Sequence, residues 1–145
     1  MEADEWGEEV LCIVPDSMRE APLAKIAIIN GRMGTNWVDT AVLSRSPGVY
    51  TLDGSGRGPV LERAVMPGES VEISATGLDP EGETVVSVDE TDVRADSVEA
   101  DAERPGIFRV TFTVPAGIRA GTVPLFLLSG GRASQPDVRL EVVAQ

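Results

Sequence analysis

The residues of this chain best suited to chemistry are carboxylates. Ten acids stand between positions 79 and 103: Asp79, Glu81, Glu83, Asp89, Glu90, Asp92, Asp96, Glu99, Asp101 and Glu103, against the single base Arg94. That stretch holds nine of the twelve net negative charges of the 145-residue chain. Paired carboxylates can hydrolyse glycosides, one as acid and the other as base or nucleophile. In so acidic a stretch any pair arises from composition alone, and no group of aromatics frames one. Calcium is the better fit. Asp79-Pro-Glu-Gly-Glu83 and Asp89-Glu-Thr-Asp92 place hard oxygen ligands on predicted loops, although neither follows the EF-hand pattern. Ahead of both stands the plain reading, a solvated acidic edge that repels unwanted strand pairing. No cofactor is expected, and calcium is the one candidate.

The remaining reactive types narrow the chemistry further. There is no histidine, which removes His-based triads, Cys-His dyads and the usual zinc sites. Cys12 is the one cysteine, so no intrachain disulfide can form. It sits in the apolar run Val10-Leu-Cys-Ile-Val14 with no basic neighbour to lower its pKa, and is predicted to be a small buried hydrophobe. Asp53-Gly-Ser-Gly-Arg-Gly58 has the glycines of a phosphate loop but not its Lys-Ser/Thr ending, and reads as a flexible connection. Of six aromatics, Phe108, Phe112 and Phe126 fall in apolar strand patterns and are predicted core. Trp6, Trp37 and Tyr50 remain as platforms on which a sugar could stack, with Trp37 expected to pack instead. An enzyme is not expected.

Charge bears on partners as well. With a net charge of −12 and Lys25 as the only lysine, the chain would repel nucleic acid and anionic membrane surfaces. No stretch approaches the roughly 20 apolar residues of a membrane helix.

The elements that carry these residues read as strands. Phe108, Val110, Phe112 and Val114 alternate with Arg109, Thr111 and Thr113; Val71 and Ile73 alternate with polar neighbours; so do Val138, Leu140 and Val142. Period-two patterning puts one face on a core and the other in water. Fifteen glycines and ten prolines break the chain into short segments, which predicts an all-β fold of the sandwich class.

The chain also repeats itself. Residues 10–43 align with 110–143 without a gap, and Val10, Val14, Pro15, Arg19, Gly31, Arg32, Val38 and Val42 meet identical residues. Eight matches in 34 positions compare with about two expected from ordinary composition. Both copies read as strand, Val-Pro, turn, apolar strand, tight turn (Asn30-Gly31, Gly130-Gly131) and final strand. Only the second copy is preceded by strands that could form the other half of a sandwich. The expected division is therefore 1–50 as the C-terminal half of a first unit, 51–58 as a linker and 59–145 as a complete unit.

Several of these segments resemble one family. Pro67-Gly-Glu-Ser-Val-Glu-Ile-Ser-Ala-Thr-Gly-Leu78 is similar to the opening strand of bacterial IPT/TIG-type immunoglobulin-like domains, with Ser74-Ala75 where a glycine is usual. Phe108-Arg-Val-Thr-Phe-Thr-Val-Pro-Ala-Gly-Ile-Arg-Ala-Gly121 resembles their later strand pair, and Ser46-Pro-Gly-Val-Tyr-Thr51 the segment that closes one unit before the next. The resemblance covers roughly residues 10–145 and extends to the immunoglobulin-like C-terminal domain of large secreted bacterial proteins. It implies an immunoglobulin-like β-sandwich and a non-catalytic structural or adhesive module working through protein contacts. It also implies a secreted or cell-surface location. The acidic start Met1–Glu9 has no signal-peptide pattern, so such a location would require a longer chain. A carbohydrate-binding module is the alternative. The orphan half-unit adds an expectation: residues 1–50 dock on the rest of the chain or on a second copy, by strand donation or domain swapping.

Overall fold

The computed structural model describes every residue except 1, 2, 5, 6, 9–11, 13, 19, 20, 44, 80 and 145. The chain divides into two units, Met1–Ser44 and Arg45–Gln145. Both are built from strands, and the described residues contain no α-helix.

In the first unit, β1 (Ala3–Asp4) pairs with β2 (Gly7–Glu8), and a single 3-10 turn covers Asp16–Met18. The main element is one long hairpin. β3 (Leu23–Ile26) pairs with β6 (Val38–Ala41), while β4 (Ile29–Asn30) pairs with β5 (Met33–Gly34) nearer the tip. Thr35 joins the two parts: its N–H donates to the Ile28 carbonyl and its hydroxyl accepts from the Ile28 N–H, both at 2.9 Å. Gly31 turns the chain at the tip with φ +63°, a conformation that favours glycine.

In the second unit, the predicted alternation becomes two sheets. β7 (Gly48–Val49), β9 (Ser70–Thr76), β13 (Ile107–Thr113) and β12 (Ser97–Ala100) form one, in the order β12-β13-β9-β7. β8 (Gly58–Pro59), β10 (Thr84–Val88), β11 (Thr91–Arg94), β14 (Gly121–Ser129) and β16 (Val138–Val142) form the other, in the order β11-β10-β14-β16-β8. The short β15 (Arg132–Ala133) folds back on the end of β14 through Gly130-Gly131, both at positive φ. Every pairing is antiparallel except β8 with β16, which is continued by a parallel bridge between Val65 and Val142. The leading segment thus begins against β9 in one sheet and ends beside β16 in the other.

Alternation decides what is buried. Val71, Ile73 and Ala75 on β9, Val86 and Val88 on β10, and Val110 and Phe112 on β13 point inward. They meet Val123, Leu125 and Leu127 on β14 and Val138, Leu140 and Val142 on β16 in one apolar cluster. Phe108 packs half-buried against it. Phe126 does not belong to this core. Leu125 and Leu127 take the inward positions of β14, so Phe126 stands on the opposite face, half-buried.

Residues 45–58 differ from the sequence expectation. The Gly-rich segment 51–58 is folded onto the second unit, and the unit begins at Arg45 because β7 pairs with β9. The Asp53 carboxylate accepts from the Ser55 N–H at 2.9 Å, the Thr51 hydroxyl accepts from the Gly56 N–H at 3.0 Å, and the Gly58 N–H donates to the Asp137 backbone carbonyl at 2.7 Å. Composition reads such a segment as a linker, but here its glycines at 54, 56 and 58 supply the positive φ angles of successive turns.

The two aligned segments, 10–43 and 110–143, share hairpin form and antiparallel sense but not register. Leu23 pairs with Ala41, whereas Val123 pairs with Leu140. One residue of slip exchanges the faces of a strand. Lys25 stands at the position of the fully buried Leu125, and in the observed register it pairs with Asp39 at 2.8 Å, both side chains exposed.

Candidate functional site

Two surfaces stand out, one in each unit. In the second unit, an open groove of about 460 Å³ lies beside β7, lined by Tyr50, Thr51, Arg57, Thr76, Gln135 and Pro136 among others. Tyr50 is 43% exposed. β7 is an edge strand, so the N–H and C=O of Val49 point away from β9. Gln135 takes both. Its Oε1 accepts from the Val49 N–H at 3.0 Å, and its Nε2 donates to the Val49 carbonyl at 2.6 Å and to the Gly56 carbonyl at 3.2 Å. A side-chain amide thus stands in for the missing neighbouring strand and closes an edge that would otherwise invite pairing. The sequence does not flag Gln135, because its partner lies 86 residues away and only the fold brings them together.

In the first unit, the second surface is the hairpin itself. Among the described residues from Cys12 to Leu43 none is buried. Residues opposite one another across an antiparallel pair share a face. Ala24 with Thr40 and Ile26 with Val38 therefore lie on one side, continued by Val42, whose N–H donates to the Pro22 carbonyl. Lys25 and Asp39 lie on the other side, with Leu23 and Ala41. Ile26 is 50% exposed, Ile28 47% and Val38 61%.

The sugar-platform candidates separate. Trp6 lies outside the described residues. Trp37 is 64% exposed rather than packed, because it follows β5 in the open turn before β6. Tyr50 borders the groove in the other unit. Cys12 is likewise exposed, against the expectation of burial. The apolar neighbours that suggested a core position belong to a unit with no buried residue among those described.

The acids of 79–103 are dispersed. Among the described residues no group of three or more potential ligands converges to hold a metal ion. Asp79 pairs with Arg45 at 2.6 Å, Asp89 with Arg119 at 2.9 Å, Glu99 with Arg109 at 3.1 Å, and Asp101 with Arg104 at 2.8 Å. Asp96 accepts from the Thr113 hydroxyl at 2.9 Å. The Arg45 guanidinium, helped by the Glu81 N–H, holds the Asp79 carboxyl below its ordinary value. Arg104 and the Glu103 N–H do the same for Asp101, and the Ser55 N–H for Asp53.

Comparison with known proteins finds no matching family model and no matching curated protein.

Proposed function

We propose that this chain is a non-catalytic structural or adhesive module of a bacterial surface or secreted protein, acting through protein contacts, with an immunoglobulin-like sandwich as its second unit. The observation that carries the contact role is the row of exposed apolar side chains along the hairpin, Leu23, Ile26, Ile28 and Val38. Monomeric proteins seldom leave such a row open unless something binds it.

The fold reading rests on strand order. Immunoglobulin sandwiches set their first, second, fifth and fourth strands in one sheet and their third, sixth and seventh in the other. With β7 and β8 as parts of the first strand, β9, β13 and β12 are the second, fifth and fourth. β10, β14 and β16 are the third, sixth and seventh, and β11 is an added edge strand. The likeness of Pro67–Leu78 and Phe108–Gly121 to bacterial IPT/TIG-type domains agrees with that order. The shared hairpin form of 10–43 and 110–143 favours the internal repeat, and the register difference marks where the copies have diverged.

A carbohydrate-binding role is the second reading, favoured by the exposed Tyr50 ring on the groove. One experiment separates the two. A photo-crosslinking side chain placed at Ile26 or Val38 of the full chain, displayed on cells, should give polypeptide adducts, and one placed at Glu62 should not. No adducts at 26 and 38, together with glycan-array binding that disappears in Tyr50→Ala, would replace the protein-contact reading with the sugar one.

A further inference from the structure

We infer that Asn30-Gly31, at the tip of the first unit's hairpin, is a site of spontaneous covalent modification. The asparagine amide is lost through a cyclic imide, and position 30 becomes a mixture of aspartyl and isoaspartyl residues. The inference needs no partner and is independent of the protein-contact reading.

The chemistry asks for an asparagine, a following nitrogen that no side chain crowds, and freedom for the two to meet. The chain has two asparagines, Asn30 and Asn36. Asn36 precedes the bulky Trp37, whereas Asn30 precedes Gly31. Asn30 and Gly31 are both exposed, and a Cβ added at Gly31 would meet no atom within 4 Å. Among the described residues the Gly31 N–H has no backbone acceptor. The tip is held by the pairs Ile29–Gly34 and Asn30–Met33, all four residues exposed. A hairpin without a buried face is marginal in water, so its tip opens easily. Opening lets the Asn30 main chain turn the Gly31 nitrogen towards its own Cγ.

The second unit holds the contrasting case. Asp53-Gly54 is the chain's one Asp-Gly and could close the same ring. There the Gly54 N–H is engaged, donating to the Thr51 carbonyl at 3.1 Å. The Asp53 carboxylate is engaged as well, accepting from the Ser55 N–H at 2.9 Å and the Thr51 hydroxyl at 3.2 Å. Both reacting groups are tied there, and at the hairpin tip the nitrogen is not.

The step is redox-neutral and consumes only water. The Gly31 nitrogen gives its proton to hydroxide and attacks Asn30 Cγ. The N–Cγ bond forms, the Cγ–Nδ2 bond breaks, and ammonia leaves. Water then opens the ring at either carbonyl. Attack at Cγ restores the ordinary main chain with an aspartyl side chain. Attack at the Asn30 main-chain carbonyl leaves Gly31 bonded to Cγ, which is the isoaspartyl form. Both products add one negative charge to the net −12. The isoaspartyl form also inserts a methylene beside a two-residue loop whose first position, Gly31, sits at φ +63°. Loop length fixes hairpin register, so the tip cannot keep its pairing.

Peptide mapping by mass spectrometry tests the inference, with the full chain incubated at physiological temperature beside a synthetic peptide of residues 26–35. The fragment holding position 30 should gain the mass of an amide-to-acid exchange and separate into two products. The rate should rise with hydroxide concentration. It should be no more than about tenfold slower than in the free peptide, the margin that a marginal hairpin supplies. Asn30→Gln must close a larger ring and should all but stop the conversion, while Asn36 and Asp53 persist. An Asn30 that stays an amide in the intact chain while the free peptide converts overturns the inference. So does conversion of Asp53 as fast as that of Asn30.

Discussion

Removing the Gln135 amide should loosen the leading strand of the second unit, and the structure sets the size of the effect. Gln135→Ala deletes three hydrogen bonds, two to Val49 and one to Gly56. Each neutral bond is worth about 0.5–1.5 kcal/mol net, and a buried polar group left unpaired costs more. The Val49 side chain is buried, but the groove beside its backbone is open, so water can replace part of the loss. The expected cost is about 2 kcal/mol, or a fall of roughly 8–15 °C in Tm for a unit of this size. Gln135→Glu adds a sharper signature. The carboxylate can still accept from the Val49 N–H, but at neutral pH it has no proton to donate and faces two carbonyl oxygens. Those oxygens raise the carboxyl pKa in the folded state, so the deficit is full above that folded value and shrinks as pH falls through it towards the ordinary carboxylate range. Urea unfolding of both variants between pH 4 and 8, with amide exchange at Val49, measures this. Stability within about 0.5 kcal/mol of the parent and unchanged exchange at Val49 would refute the role given to the amide.

Three further predictions follow from single positions. A Cβ at Gly77 (φ +72°) would fall directly on the Ser46 carbonyl, so Gly77→Ala should destabilise by about 3 kcal/mol or more. Gly117→Ala meets no atom within 4 Å and should be near neutral in the same thermal melt. The hydroxyls of Thr84 and Ser129, cross-strand neighbours on β10 and β14, are buried and without a partner among the described residues. Thr84→Val should therefore raise stability by about 0.5–2 kcal/mol in urea titration. Asp53, Glu69, Asp79 and Asp101 all have carboxyl pKa values lowered by folding, so their contribution is present above the ordinary values of 3.8 for Asp and 4.5 for Glu. It is lost as pH falls through the lower folded values, and Asp79→Asn should flatten that acid limb in melts taken from pH 6 to 2.

The strands of the second unit were legible because its patterning is simple. Val71/Ile73, Val110/Phe112 and Val138/Leu140/Val142 alternate with polar residues, and a two-residue period can be satisfied only by a half-buried strand. Phe126 is harder to place, because Leu125-Phe-Leu-Leu128 is apolar at every position and the run itself does not mark its inward side. Pairing with β10 and β16 decides that. Segment 51–58 reads as a linker because composition cannot distinguish glycines that permit motion from glycines that permit turns. Cys12 reads as packed because its neighbours are apolar, and Trp37 because it stands where a strand begins after a polar turn. Apolar neighbours predict burial only where a second layer exists, and the described part of the first unit has none. The groove was invisible for a different reason. Gln135 and Tyr50 meet across most of the second unit, and no local pattern records that.

Hydrogen–deuterium exchange of the full chain, followed peptide by peptide across a dilution series, tests the contact role most directly. Amides of β9, β13, β14 and β16 should stay protected at every concentration, as members of a closed core. Those of β3 and β6 should exchange fast when the chain is dilute and slow markedly as it is concentrated or its partner is added. Equal, strong protection of 23–42 at the lowest concentration would contradict the account, because it would mean the hairpin needs no other molecule to cover it.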